Sequence, residues 1–179
     1  MCSSDLPDGM VVIPYYDENR VAEVGADGTV YLAWADCAPS SGCTRNSIVL
    51  STSRDGVTWS PPARVPTGGA DAEIPGLAAD PAAAGRLALA YYTVSGTRLD
   101  VWFVSSRTGG ASWTKPQRLS TRSILPEWIA ATSGGFMVGD YISTSFAGGR
   151  AVPVFVLARR PSGGRLHESA FAASLVVPR

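Results

Sequence analysis

The sequence predicts an all-β chain, a partial β-propeller of about three four-stranded blades, and two observations carry that prediction. A Trp-ended turn, Ser53-Arg-Asp-Gly-Val-Thr-Trp59, returns as Ser106-Arg-Thr-Gly-Gly-Ala-Ser-Trp113, with the two tryptophans 54 residues apart. A unit of roughly 40 to 50 residues that repeats a turn and several short strands is the pattern of a propeller blade. In addition, Gly28-Thr-Val-Tyr-Leu-Ala-Trp aligns without a gap with Gly85-Arg-Leu-Ala-Leu-Ala-Tyr and with Gly149-Arg-Ala-Val-Pro-Val-Phe. That alignment supports the repeat register independently of the turns.

Each copy of the turn makes sense as a hairpin corner. Gly56 or Gly110 supplies the positive φ that a tight turn needs, and an Asp or Ser side chain accepts hydrogen bonds from the turn's own N–H groups. Trp59 and Trp113 are expected to fold back over the corner. Both stretches resemble the Asp-box, or BNR repeat, of sialidases and related β-propellers, written S-x-D-x-G-x-T-W. The first copy supplies Ser53, Asp55, Gly56, Thr58 and Trp59; its Asp lies one residue closer to the Trp than in the family pattern, and Arg54 holds the usual Asp position. The second copy, Ser106, Gly110, Ser112 and Trp113, has the family spacing, with Thr108 in place of the carboxylate. In that family the boxes fasten corners on the face opposite the catalytic site, so the resemblance speaks first to fold.

Taken in order, residues 7–19 (with Val11-Val12-Ile13-Pro14-Tyr15-Tyr16) read as the end of a preceding blade. The first full blade spans 20–66, with strands over 22–25, 29–35, 47–53 and 63–66. The second spans 67–120, with strands over 75–79, 86–94, 99–105 and 117–120. The remainder, 121–179, reads as a long linker and a third, degenerate blade, with strands over 138–146 and 150–158 and a third over 166–177. Pro153 inside a strand removes a ladder hydrogen bond and predicts a bulge. The near-continuous apolar runs Leu87 to Tyr92 and Val101 to Val104 fit sheets covered on both faces. Because propellers close with about four to eight blades, and sialidase resemblance implies six, three blades predict a fragment whose open ends want the missing blades as neighbours. A β-sandwich is the other fold reading, favoured if the two Trp-ended turns fall in different sheets.

Composition excludes several classes of function. The 179 residues carry 15 basic and 15 acidic side chains, and the basic set is 14 Arg to one Lys, Lys115. With abundant Ala, Gly and Pro, this is the signature of a GC-rich bacterial genome rather than of a phosphate-binding patch, so no nucleic-acid partner is expected. No run of some 18 apolar residues exists, so no membrane span is expected either. The first six residues, Met-Cys-Ser-Ser-Asp-Leu, look like a translated sequencing-adapter end fused to the reading frame. On that reading 1–6 is a non-native tail and Cys2 leaves the cysteine count. Cys37 and Cys43 remain, with five residues between them that include Pro39 and Gly42, a spacing that suits a small disulfide-closed loop and thereby a secreted or cell-envelope protein. A zinc site is not expected, since there is no second Cys pair and the only His, His167, is far along the chain. No cofactor is expected.

Blade topology locates the candidate site. In a four-stranded blade, the loop between strands two and three and the link to the next blade share one face, while Asp-box turns occupy the other. The first face collects residues 37–46, Asp71 and Glu73, residues 95–98, and the linker with Glu127 and Trp128. Asp140 and Tyr141, at the head of the third inner strand, are expected at or beside the central channel, as a catalytic pair or as structural groups completing the channel's hydrogen bonds. Asp71, Glu73, Glu127 and Trp128 are the candidate substrate-binding residues, since carboxylates with an aromatic platform suit a carbohydrate.

Sialidases, as the resemblance implies, use an Arg cluster for the substrate carboxylate, an Asp general acid and a Tyr nucleophile paired with Glu. The family's Arg-Ile-Pro motif is absent: Glu73-Ile74-Pro75 carries Glu in the Arg position, and Arg64-Val65-Pro66 lies on an outer strand. The expected function is hydrolysis of terminal glycosidic bonds by a complete, secreted, sialidase-like parent, the fragment alone being inactive. The alternative is a non-catalytic propeller that binds glycans or proteins at the cell surface. His167-Glu168-Ser169 lacks the spatial signature of a triad and reads as a surface strand.

Overall fold

The computed structural model describes residues 20–133 and 135–178. The stretches read as a non-native tail and as the end of a preceding blade, with Cys2, lie outside these residues, as does Gly134. Within them the chain is all-β, built of antiparallel sheets, none of which closes on itself. The first sheet is a meander of β1 (Val21–Val24), β2 (Val30–Asp36), β3 (Ser47–Ser53) and β4 (Ala63–Arg64). The second repeats it with β5 (Asp71–Ala79), β6 (Leu87–Ser95), β7 (Arg98–Ser106) and β8 (Gln117–Arg118). A small ribbon of β9 (Ala131–Thr132) and β10 (Gly135–Phe136) precedes the third sheet.

In the third sheet, β12 (Arg150–Ser162) pairs with β11 (Ser143–Ala147) on one side. On its other side lie β13 (Arg165–Ala172) and β14 (Leu175–Val176). Val154 faces Ala172 and Ala151 faces Leu175, so β13 and β14 keep one register and form the single third strand expected over 166–177, with a short break. The break lies opposite Pro153, which accepts a bond from Ala173 N (3.1 Å) but has no N–H to return. The bulge expected at Pro153 is not there; the register shift lies between Arg159 and Ser162.

Two inner strands differ from expectation. β5 begins at Asp71 rather than at Pro75, because a bulge between Glu73 and Gly76 carries the ladder past the proline. β11 begins at Ser143 rather than near 138, Gly139 having a positive φ (115°) that interrupts extended backbone just before it. The outer strands β4 and β8 are also shorter than expected. The aligned glycines of the three repeats, Gly28, Gly85 and Gly149, all adopt positive φ (79°, 70° and 74°) in the turn that leads into the second strand of each sheet. The two Trp-ended turns do fall in different sheets, but at the same place in each meander, between third and fourth strands; three stacked sheets also exceed the two of a sandwich.

The core sits on both faces of the second sheet. Successive β6 side chains point to opposite faces. Leu87, Leu89 and Tyr91 join Tyr31, Ile48 and Leu50 of the first sheet, whereas Ala88 joins Phe103, Ala151 and Val177, and Tyr92 joins Leu99, Val101 and Phe155. This explains the unbroken apolar run of β6, since neither face meets water.

Polar clamps tie the second sheet to the third. The Tyr92 hydroxyl donates to Val156 O (2.8 Å) and accepts from Val156 N (2.9 Å), in full burial. Arg86, buried beside Asp80 (2.5 Å), donates to Gly149 O (3.0 Å) and Val177 O (2.6 Å) and lies over the Phe146 ring. Tyr92→Phe strands both backbone groups of Val156, so it is expected to lower stability by about 1–3 kcal/mol. Urea unfolding of the two proteins checks this, and equal midpoints contradict the clamp.

Candidate functional site

The sheets have two structurally distinct ends. At one end, the β2–β3 loop and the link from β4 to β5 meet. Asp71 and Glu73 are two apart on β5 and project from one face, while Ala72 between them is buried in the core. Asn46, the last residue before β3, joins them: its backbone N–H donates to Asp71 Oδ1 (2.7 Å), its side-chain amide donates to Glu73 Oε1, and its carbonyl accepts from Ala72 N (3.1 Å). Directly after Glu73, Ile74 adopts a positive φ of 49°, an unusual conformation for a β-branched residue. It forms part of the bulge that bends β5 and sets the direction in which Glu73 emerges.

Electrostatics single out Glu73. Burial pushes its carboxyl up from the ordinary 4.5 to about 7; the Asn46 amide opposes the rise and the neighbouring Asp71 charge adds to it. Asp71 is also raised by burial, against the Asn46 N–H and the Arg45 charge. A carboxyl that changes protonation near neutral pH can give a proton to a leaving oxygen or take one from a nucleophile. Beside the cluster lies a cleft of about 240 Å³, lined in part by Ser40, Thr44, Asn46 and two cations, Arg45 and Arg64. Arg45 donates to Gly69 O (2.6 Å) and Arg64 to Ser47 Oγ (3.0 Å). The loop that forms this wall is closed by Cys37 and Cys43, which lie at disulfide distance with Cα atoms 4.7 Å apart.

The other predicted residues take different places. Asp140 and Tyr141 precede β11 and are exposed, Tyr141 at 74%. Glu127 is exposed on a 3-10 turn (Pro126–Trp128), and Trp128 packs against the apolar layer that contains Ile124, Ile129 and Tyr92. Among the described residues, no hydrogen bond or ion pair links these four to Asp71 or Glu73. Asn46 is the residue that sequence reasoning missed as a member of the cluster. It carried no motif, and only the pairing of its loop with β5 reveals it. His167 is exposed on β13 and bonds Ser162 Oγ (2.7 Å).

At the opposite end, the two Trp-ended turns share one geometry. Ser53 Oγ accepts from Asp55 N (3.3 Å) and Gly56 N (2.8 Å), and Ser106 Oγ accepts from Thr108 N (3.1 Å) and Gly110 N (3.0 Å). Asp55 Oδ1 accepts from Val57 N (2.8 Å) and Thr58 N (2.7 Å), which holds its carboxyl well below the usual range. Thr108 takes the same part with a hydroxyl, accepting from Ser112 N (2.8 Å). The motif also extends one residue beyond the tryptophan: Ser60 Oγ accepts from Thr52 N and Thr114 Oγ1 from Ser105 N, both at 3.0 Å. The tryptophans differ. Trp113 packs against the core, but Trp59, expected to cover its corner, is 39% exposed.

The chain matches no protein-family model and no curated protein.

The Glu73 carboxyl gives a pH test. Its folded value is raised, so between about pH 4.5 and 7 the folded state holds a proton that the unfolded state has released, and stability falls as pH rises through this window. Glu73→Gln is expected to remove that slope, gaining up to about 3 kcal/mol on the wild type above pH 7. Denaturation midpoints measured across the window check this, and parallel profiles contradict it.

Proposed function

We propose that the chain forms blades of a sialidase-like Asp-box β-propeller that acts on glycans at the Asp71–Glu73–Asn46 end, with Glu73 as the proton carrier in hydrolysis of a terminal glycosidic bond. The propeller reading is supported by two consecutive four-stranded meanders with matching turns, stacked face to face with a third sheet. The observation that carries the functional reading is the Glu73 carboxyl, pushed to about 7 beside a second carboxylate. Glycosidic cleavage commonly uses two carboxyl groups with separated proton affinities, and Arg45 and Arg64 flank the adjoining cleft, where they suit an acidic sugar. The disulfide-distance pair Cys37 and Cys43 is compatible with an extracellular protein.

One observation favours the alternative, a glycan-binding propeller without turnover. Tyr92, which faces Glu73 across β5 and β6, has its hydroxyl committed to Val156 and is closed to a nucleophilic role. The deciding experiment assays the complete propeller that contains these blades, wild type and Glu73→Gln, on fluorogenic glycosides that include sialosides, alongside glycan-retention measurements. Turnover lost in Glu73→Gln while folding is kept supports hydrolysis. Saturable binding without turnover, weakened by Asp71→Asn or Glu73→Gln, supports the binder. A folded protein that neither cleaves nor retains any glycan overturns both.

A further inference from the structure

The end that carries the Trp-ended turns has a cleft of about 700 Å³ between the first and second sheets. Its walls come from the β1–β2 hairpin, the first Trp-ended turn, Gly85, and residues 107–109 of the second turn. This volume lies within the range of small-molecule sites.

Two features bear on what it would hold. Trp59 lines the cleft and keeps 39% of its surface exposed, whereas Trp113, at the same place in the same motif, is partly buried and packs against the core. The fold therefore makes use of one tryptophan and leaves the other a partly bare ring. Thr29, only 7% exposed, also borders the cleft, but its hydroxyl is sealed from solvent beside the Asp27 carboxylate and the Tyr31 hydroxyl and belongs to the hairpin rather than to a ligand. Finally, the charges in the lining balance: Arg54 and Arg107 stand against Asp27 and Asp55, with Arg54 paired to Asp27 at 3.2 Å. A balanced lining attracts neither a free anion nor a free cation. The hydroxyls of Ser60, Thr58 and Thr108 complete it.

An exposed indole beside hydroxyls and internally paired charges suits a ligand with an apolar C–H face and a rim of uncharged hydroxyl groups. We propose that this cleft binds a neutral saccharide unit, stacked on Trp59 beside the hydroxyl-bearing residues Thr58, Ser60 and Thr108. The site is separate from the Asp71–Glu73–Asn46 cluster, lies at the opposite end of the sheets, and does not depend on that cluster's proposed role.

The test follows the indole N–H signals of the full chain by NMR during titration with cello-, xylo-, malto- and chito-oligosaccharides. Trp59→Ala identifies the Trp59 signal and serves as the binding-deficient variant. The expected result is a saturable shift of the Trp59 signal with at least one neutral oligosaccharide, with affinity weakened about tenfold or more by Trp59→Ala, as read from ligand-observed saturation transfer. Glu73→Gln is expected to leave the titration unchanged, which separates this site from the other end. The proposal is overturned if no neutral oligosaccharide moves the Trp59 signal, if Trp59→Ala binds as well as the wild type, or if only charged sugars bind.

Discussion

The second sheet has no face for water, and the rest of the structure follows from that constraint. With Leu87, Leu89 and Tyr91 on one side of β6 and Ala88, Ala90 and Tyr92 on the other, all fully buried, the sheet is stable only between two partners. The first and third sheets occupy those positions, and what they require of the second sheet determines its polar groups. Tyr92 places its one hydroxyl where it satisfies a backbone pair of β12. Arg86 carries a charge into the same seam with Asp80 as its counterion and two backbone carbonyls as acceptors. Neither group has a reason to be there unless a neighbouring sheet is present.

Close stacking also explains why small residues recur at the seams. A Cβ on Gly110 would overlap Leu50 Cδ2 of the first sheet, and the residue already has a φ of 91°. One on Gly76 would stand 3.1 Å from Ile142, beside the buried bond from Thr144 to Gly76 O (2.7 Å). The second Trp-ended turn is thus both a hairpin corner and the piece that seats one sheet on the next. Its serine, its hydroxyl-bearing residue after the tryptophan and its glycine each satisfy or expose backbone for that purpose. The first turn has the same internal bonds but leaves its tryptophan partly uncovered, and this difference separates a fastening role from a surface role.

Much of the fold was legible because its signals are local. The repeated turn, the aligned glycines before each second strand and the two-sided apolar runs placed eight strands of two meanders with only small errors at their ends. The third sheet was read in outline, and Pro153 was misread as a bulge because the sequence shows a missing donor without showing that the partner strand can simply break there. The β5 start was misplaced for a related reason. Pro75 looks like a beginning, but Ile74 in a left-handed conformation lets pairing run back to Asp71. The site was less legible. The topology places Asp71 and Glu73, but the Glu73 carboxyl is raised by burial against the pull of Asn46, a contact between residues 27 apart, and neither is written in the local sequence. Asp140 and Tyr141 were chosen on the same topological grounds and lie in the irregular approach to β11, exposed.

The two proposed sites lie at opposite ends of the stacked sheets. Crossover loops gather the carboxyl pair at one end, hairpin turns form the tryptophan cleft at the other, and the doubly buried second sheet holds both in place. Native-state hydrogen exchange tests that central claim most directly. The account predicts that the amides of β6 and the central part of β7 exchange last, through global unfolding alone, while those of the exposed β13 exchange earlier through local opening. Amides of β6 that exchange as fast as those of β13 would contradict it.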